Sequence, residues 1–148
     1  MLVDFDYYKD QFKGTTIPQE VFEKMSGRAE NELNRLILYK NYSNYNGVNY
    51  TEKVKLAICS IADILYGVYK RDEKINAFVN SDNKIVTAEK VGDYSRNFET
   101  VSYKELIEQN SKSVVFAKMY EEANTYLGGT GLLNRGVQCV WWRYNNYK

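Results

Sequence analysis

The sequence predicts a mainly α protein: a small helical bundle with an inserted extended β-hairpin arm and an extended C-terminal tail. Three observations carry that expectation. Segments at about 18–39, 51–70 and 102–127 repeat their apolar residues at three- and four-residue steps, the period of a helix with one buried face. Residues 71–100 lose that period and place Val, Ile, Thr, Tyr and Phe on either side of a turn cluster. After Gly129 the chain is basic and aromatic, with no acidic residue.

Taken in order, Asp4 to Phe12 reads as a short helix with Phe5, Tyr8 and Phe12 on one face, closed by Gly14 and serving as a lid. Thr16 begins a capping-box pattern with Gln19, and Pro18 suits a first helical turn because its missing N–H is not needed there. The helix that follows should bury Phe22, Met25, Ala29, Leu33, Leu36 and Ile37, while Glu20, Glu23, Lys24 and Arg28 face water. Gly27 is its weak point. Residues 41–50, rich in Asn, Ser, Gly and Tyr, form a loop.

Thr51 is placed to cap the next helix, whose residues Val54, Ala57, Ile58, Ile61, Ala62, Leu65 and Val68 make a wide apolar stripe. Asp63 is the one charge between Leu56 and Tyr69, so this helix is expected to be the most buried. The arm turns at Asn80, Ser81, Asp82 and Asn83, and a lone hairpin of this kind is marginal in water unless something supports it. Helix resumes at Ser102, which makes a capping box with Glu105, and Asn110 and Ser111 break it. The main piece carries Val115, Phe116, Met119, Tyr120, Ala123, Tyr126 and Leu127, and Gly128-Gly129 supplies a left-handed stop.

Composition narrows the function. The 148 residues fit one domain, 1–148. Lys plus Arg number 20 against 19 acidic residues, so the strong positive field of a dedicated DNA binder is lacking. The N-terminus has no basic start before an apolar run, and no stretch approaches the roughly 18 apolar residues of a membrane span. The expectation is a protein made in cytosol-like solvent, with no membrane partner. There is no histidine, which removes the commonest general base and transition-metal ligand, and Cys59 and Cys139 have no second ligand at metal spacing. No metal, no cofactor and reduced thiols are expected. Fourteen tyrosines favour binding, since one end of each packs and the other hydrogen-bonds.

Candidate chemistry is weak. Gly128, Gly129 and Gly131 suggest a phosphate loop only superficially, because they follow a helix and lack a Gly-Lys-Ser/Thr; a helix stop is the better reading. Glu121 with Glu122, and Asp72 with Glu73, read as solvated surface charge, since adjacent helical residues do not face one another. Ser60 and Cys59 lie in an apolar helix with no histidine to activate them. Catalysis is not expected. The tail, with Arg135, Arg143 and Lys148 among Trp141, Trp142, Tyr144 and Tyr147, has three readings. Ranked in order, these are docking into a partner, folding back as an edge strand, and stacking on single-stranded nucleic acid.

Two motifs, VGDYSRNF at Val91 to Phe98 and YLGGTGLLNRGV at Tyr126 to Val137, stand in the order helix, helix, arm, helix, glycine turn. In this the chain resembles the head-to-tail connector (adaptor, or head-completion) proteins of tailed phages, over most of its length. The resemblance implies a virion structural protein, assembled in host cytoplasm, whose copies form a ring, usually of twelve, beneath the portal protein. It implies that the ring extends the DNA channel and offers a platform to a downstream neck or tail-completion protein. On that basis the tail, 129–148, would dock with the portal through Arg135, Val137, Val140, Trp141, Trp142 and Tyr144. Val91, Asp93, Tyr94, Arg96 and Phe98 of the arm would meet neighbouring subunits or face the channel. A near-neutral chain suits a wall past which double-stranded DNA slides with only weak, non-specific contact. The alternative is a small helical nucleic-acid-binding or regulatory protein that uses its basic aromatic tail.

Overall fold

The computed structural model describes residues 1–80, 89–91, 94–96 and 107–133. These are mainly helical: α1 (Phe5–Asp10), α2 (Gln19–Leu36), α3 (Thr51–Asn80) and α4 (Lys112–Leu127), with a 3-10 turn at Tyr42–Asn44 and helical residues at 107–109. Two short strands, β1 (Glu89–Val91) and β2 (Tyr94–Arg96), pair antiparallel. By compactness the chain divides into two units, residues 1–66 with 118–148, and residues 67–117. Among the described residues, every buried side chain belongs to the first unit. No helix of the described residues is long and apolar enough to cross a membrane.

In the first unit, α1 is only six residues long, too short to hold itself, and is kept by its aromatic face. Tyr8 lies 4.8 Å from Phe22 and 5.7 Å from Phe12 between ring centroids, and Phe5 meets Phe22 edge-on at 5.6 Å. The expected face is therefore real, but Tyr8 is fully buried, so α1 is a wall of the core instead of a lid. The backbone at Gly14 crosses directly over the Tyr8 ring, where any Cβ would overlap it.

All six apolar residues expected on the inner face of α2 are buried. Its ends differ from expectation. The N-cap is Pro18, with no side-chain cap, because Thr16 lies too early to reach the first free amides. The amides of Thr16 and Ile17 turn instead to the Tyr8 hydroxyl, at 3.2 and 3.3 Å. At the other end α2 stops at Leu36, three residues before the predicted 39. Tyr39 donates its amide to Asn34 O at 2.8 Å and Leu38 to Arg35 O at 3.3 Å, the paired bonds of a Schellman stop, with Leu38 left-handed at φ 55°. No glycine marks this stop, so the in-phase apolar Leu36 and Ile37 extended the predicted helix. The loop beyond holds a tight reversal in which Tyr45 and Val48 exchange backbone hydrogen bonds around Asn46 and Gly47, both at positive φ.

Thr51 is the first helical residue of α3 and not its cap; Asn49 Oδ1 accepts the Thr51 amide at 2.9 Å. Ala57, Ile58, Cys59, Ser60, Ile61 and Ala62 are buried in succession, so this stretch is covered on all sides. Small residues here let neighbouring elements approach closely. In α4, Met119, Ala123 and Leu127 are buried one turn apart, whereas Phe116 is exposed.

In the second unit α3 continues through Asn80, which corrects an arm expected to begin at Arg71. The apolar stripe ends, but Arg71, Glu73, Lys74 and Ala77 are good helix formers, and extending an existing helix carries no nucleation cost. The Lys70–Glu73 ion pair adds support at 2.9 Å. The expected break at Asn110 is present and structural: its side chain accepts from Arg71 Nε at 2.5 Å and donates to Asp72 Oδ1 at 2.6 Å and Val68 O at 3.3 Å. The strands pair Val91 with Tyr94, and Asn80, the first member of the predicted turn cluster, closes α3. Residues 81–83 and the predicted helix start at Ser102 lie outside the described residues.

Candidate functional site

The expected docking residues Arg135, Val137, Val140, Trp141, Trp142 and Tyr144 lie outside the described residues, as do Asp93 and Phe98 of the arm. Val91, Tyr94 and Arg96 lie on the paired strands, Val91 opposite Tyr94 and Arg96 opposite Glu89. The root from which the tail departs is described in full.

That root is a buried, hydrogen-bonded turn. Leu127, Thr130, Leu132 and Leu133 are buried, while Gly129 and Gly131 take φ of 76° and 80°, a region closed to most side chains. The Gly128 amide donates to Asn124 O at 2.8 Å, and the Thr130 amide and hydroxyl both donate to Leu127 O, at 3.2 and 2.7 Å. The Thr130 hydroxyl in turn accepts the Leu132 amide at 3.2 Å. The Gly128, Thr130 and Leu132 amides are thus engaged within the turn, and the glycine cluster stops the helix.

Lys40, from the loop after α2, clasps this root. Its ammonium donates to Gly131 O and Leu132 O, both at 2.9 Å, and the Tyr45 hydroxyl donates to Gly131 O at 3.3 Å. The same ammonium lies 5.4 Å from the centroid of the Tyr45 ring. A cation just beyond the C-terminus of α4 also meets the negative end of the helix dipole. The tail therefore leaves from a fixed point.

A second polar cluster joins α1, α3 and α4. Tyr8 Oη donates to Asp63 Oδ1 at 2.5 Å, and Ser60 Oγ donates to Glu122 Oε2 at 2.6 Å. Burial, reinforced by the nearby Glu122 charge, holds the Asp63 carboxyl above its ordinary value, against the hydrogen bond from Tyr8, which favours the anion. Burial likewise raises the Tyr8 and Tyr126 hydroxyls and pushes the Cys59 thiol up to about 12, so this cysteine is a poor nucleophile. Glu122 is half-buried with a partner, which corrects the expectation that it is solvated surface charge; Asp72 and Glu73 are exposed as expected. Among the described residues no group of three or more His, Cys, Asp or Glu is placed to hold a metal ion.

The sequence alone singles out neither Lys40 nor Tyr45 and assigns Thr130 no bond, and it reads Glu122 as surface charge; Asp63 stands out as a lone charge in an apolar stripe. No family model, curated protein or solved structure matches the chain.

Proposed function

We propose that the chain is a virion structural protein, a head-to-tail connector subunit that forms a ring under the portal, extends the DNA channel and carries the neck or tail. The observation that carries this reading is the joint occurrence of VGDYSRNF and YLGGTGLLNRGV on either side of the last helix. Its function is binding, not catalysis, exerted in the neck of the virion on the portal, on copies of itself and on a downstream completion protein.

Two features support the reading. The second motif spans the end of α4 and the clasped turn, so the basic aromatic residues that follow are presented from a rigid base, which lowers the entropy lost on docking. The first motif includes β2, and the arm we propose, beyond Asn80, is a hairpin built on β1 and β2. A lone hairpin is marginal in water, so it gains from a neighbour's support. A ring requires such heterologous contacts.

The test is native mass spectrometry and negative-stain imaging of the purified protein, alone and with the portal encoded beside it. Rings, alone or on the portal, are expected; a strict monomer that ignores the portal overturns the reading. DNA affinity that falls steeply with salt and vanishes on truncation after Leu127 would favour the nucleic-acid alternative instead.

A further inference from the structure

We propose that Ser60, Asp63 and Glu122 form a proton-operated latch between α3 and α4, which tightens on acidification and loosens as pH rises. Ser60 and Asp63 are three residues apart on α3 and so share a face. Because Ser60 holds the Glu122 carboxylate at 2.6 Å, a negative charge from α4 is fixed about one helical turn from Asp63.

Among the described residues, the groups that bear on Asp63 are hydroxyls, a thiol and a carboxyl. Tyr8 approaches from α1, Cys59 lies on α3 itself, and Glu122 and Tyr126 come from α4. The ion pairs Arg35–Glu32, Lys55–Glu52 and Lys70–Glu73 lie elsewhere. One carboxyl from α3 and one from α4 thus bear on the same helix contact, each accepting from a hydroxyl. Each hydroxyl satisfies one acceptor without neutralising either charge. A single proton on Asp63 removes the repulsion and the desolvation together.

The direction of the effect follows from linkage. Asp63 titrates above 3.8 in the folded chain, so its contribution to stability is complete below 3.8 and is lost as pH rises through the higher folded value. Glu52 and Glu73 run the other way: their partners hold them below 4.5, and their contribution is lost only in stronger acid. The Asp63 contribution and those of the two glutamates therefore slope in opposite directions with pH.

Hydrogen exchange of α4 amides in the full chain, corrected for intrinsic rates, tests the proposal. Acidification from about pH 7.5 should increase protection of Met119 to Leu127, and the full gain, about tenfold for each unit by which Asp63 is displaced, is reached only below 3.8. Asp63→Asn keeps the acceptor for Tyr8 and should remove the Asp63 part of the pH slope. Glu122→Gln keeps the acceptor for Ser60 and should flatten part of the slope. An Asp63→Asn protein that retains the native pH slope overturns the latch. Should that variant not fold, carbon NMR of the native Asp63 carboxyl decides: a midpoint above 3.8 that falls in Glu122→Gln supports the latch, and one unmoved by that change overturns it.

Discussion

Lys40 donates to the carbonyl oxygen of Gly131, 91 residues further along the chain, at 2.9 Å. This bond, with its twin to Leu132, ties the end of α2 to the exit of α4. Replacing Lys40 with Met keeps much of the stem but takes the ammonium from Leu132 O and leaves Gly131 O with the Tyr45 hydroxyl, and hydrogen bonds to charged groups are worth about 1.5–3 kcal/mol. Lys40→Met should lower stability by about 2 kcal/mol in urea denaturation. It should also raise hydrogen exchange at Gly128 to Leu133 more than in α2, whereas a uniform rise would mean the clasp has no local role.

Tyr8 combines a buried ring with a hydroxyl that makes three bonds, to Asp63, Thr16 and Ile17. Tyr8→Phe retains the aromatic packing against Phe5, Phe12 and Phe22 and removes only those bonds. The stranded Asp63 carboxylate and two amides should cost about 2–3 kcal/mol, read as a lower denaturation midpoint with an unchanged slope. Because the Tyr8 hydrogen bond favours the Asp63 anion, the Asp63 titration should also move further up in this variant.

In α2, side chain and glycine are exchanged relative to what the backbone prefers. Gly27 sits mid-helix, where an added Cβ meets nothing within 4 Å, while Leu38 occupies a left-handed stop at φ 55° with its side chain 52 % exposed. Gly27→Ala should stabilise by up to about 1 kcal/mol through the lost freedom of the unfolded chain. Leu38→Gly should relieve a left-handed cost of roughly 1–2 kcal/mol, offset in part by greater unfolded-state entropy. Both midpoints should rise, and because the two sites lie three turns apart the gains should add.

The buried stripe of α2 and the covered centre of α3 were legible because apolar periodicity is a local property, written within one helix. Boundaries were less so. The stop at Leu36 uses Leu38 in a conformation that glycine usually signals, and the stretch from Arg71 to Asn80 is helical on propensity, without the stripe that marks a packed helix. The polar contacts were least legible. Lys40 looks like any loop lysine until α4 brings Gly131 to it, and Glu122 looks solvated until Ser60, 62 residues earlier, donates to it. Pairings at such separations leave no period or spacing behind.

The tail prediction separates presentation from contact. On the connector reading, Trp141 and Trp142 are the anchors, and truncating buried aromatic anchors costs at least about 2 kcal/mol of binding, close to thirtyfold in affinity. Trp141→Ala with Trp142→Ala should weaken portal docking by that order and leave the helical circular dichroism unchanged. Lys40→Met should weaken docking by a smaller factor, since it disturbs the base of the tail and none of its contacts. Docking that survives the double tryptophan change but fails in Lys40→Met would place the contact at the clasped root itself, on the loop that carries Tyr39 and Val48, both exposed.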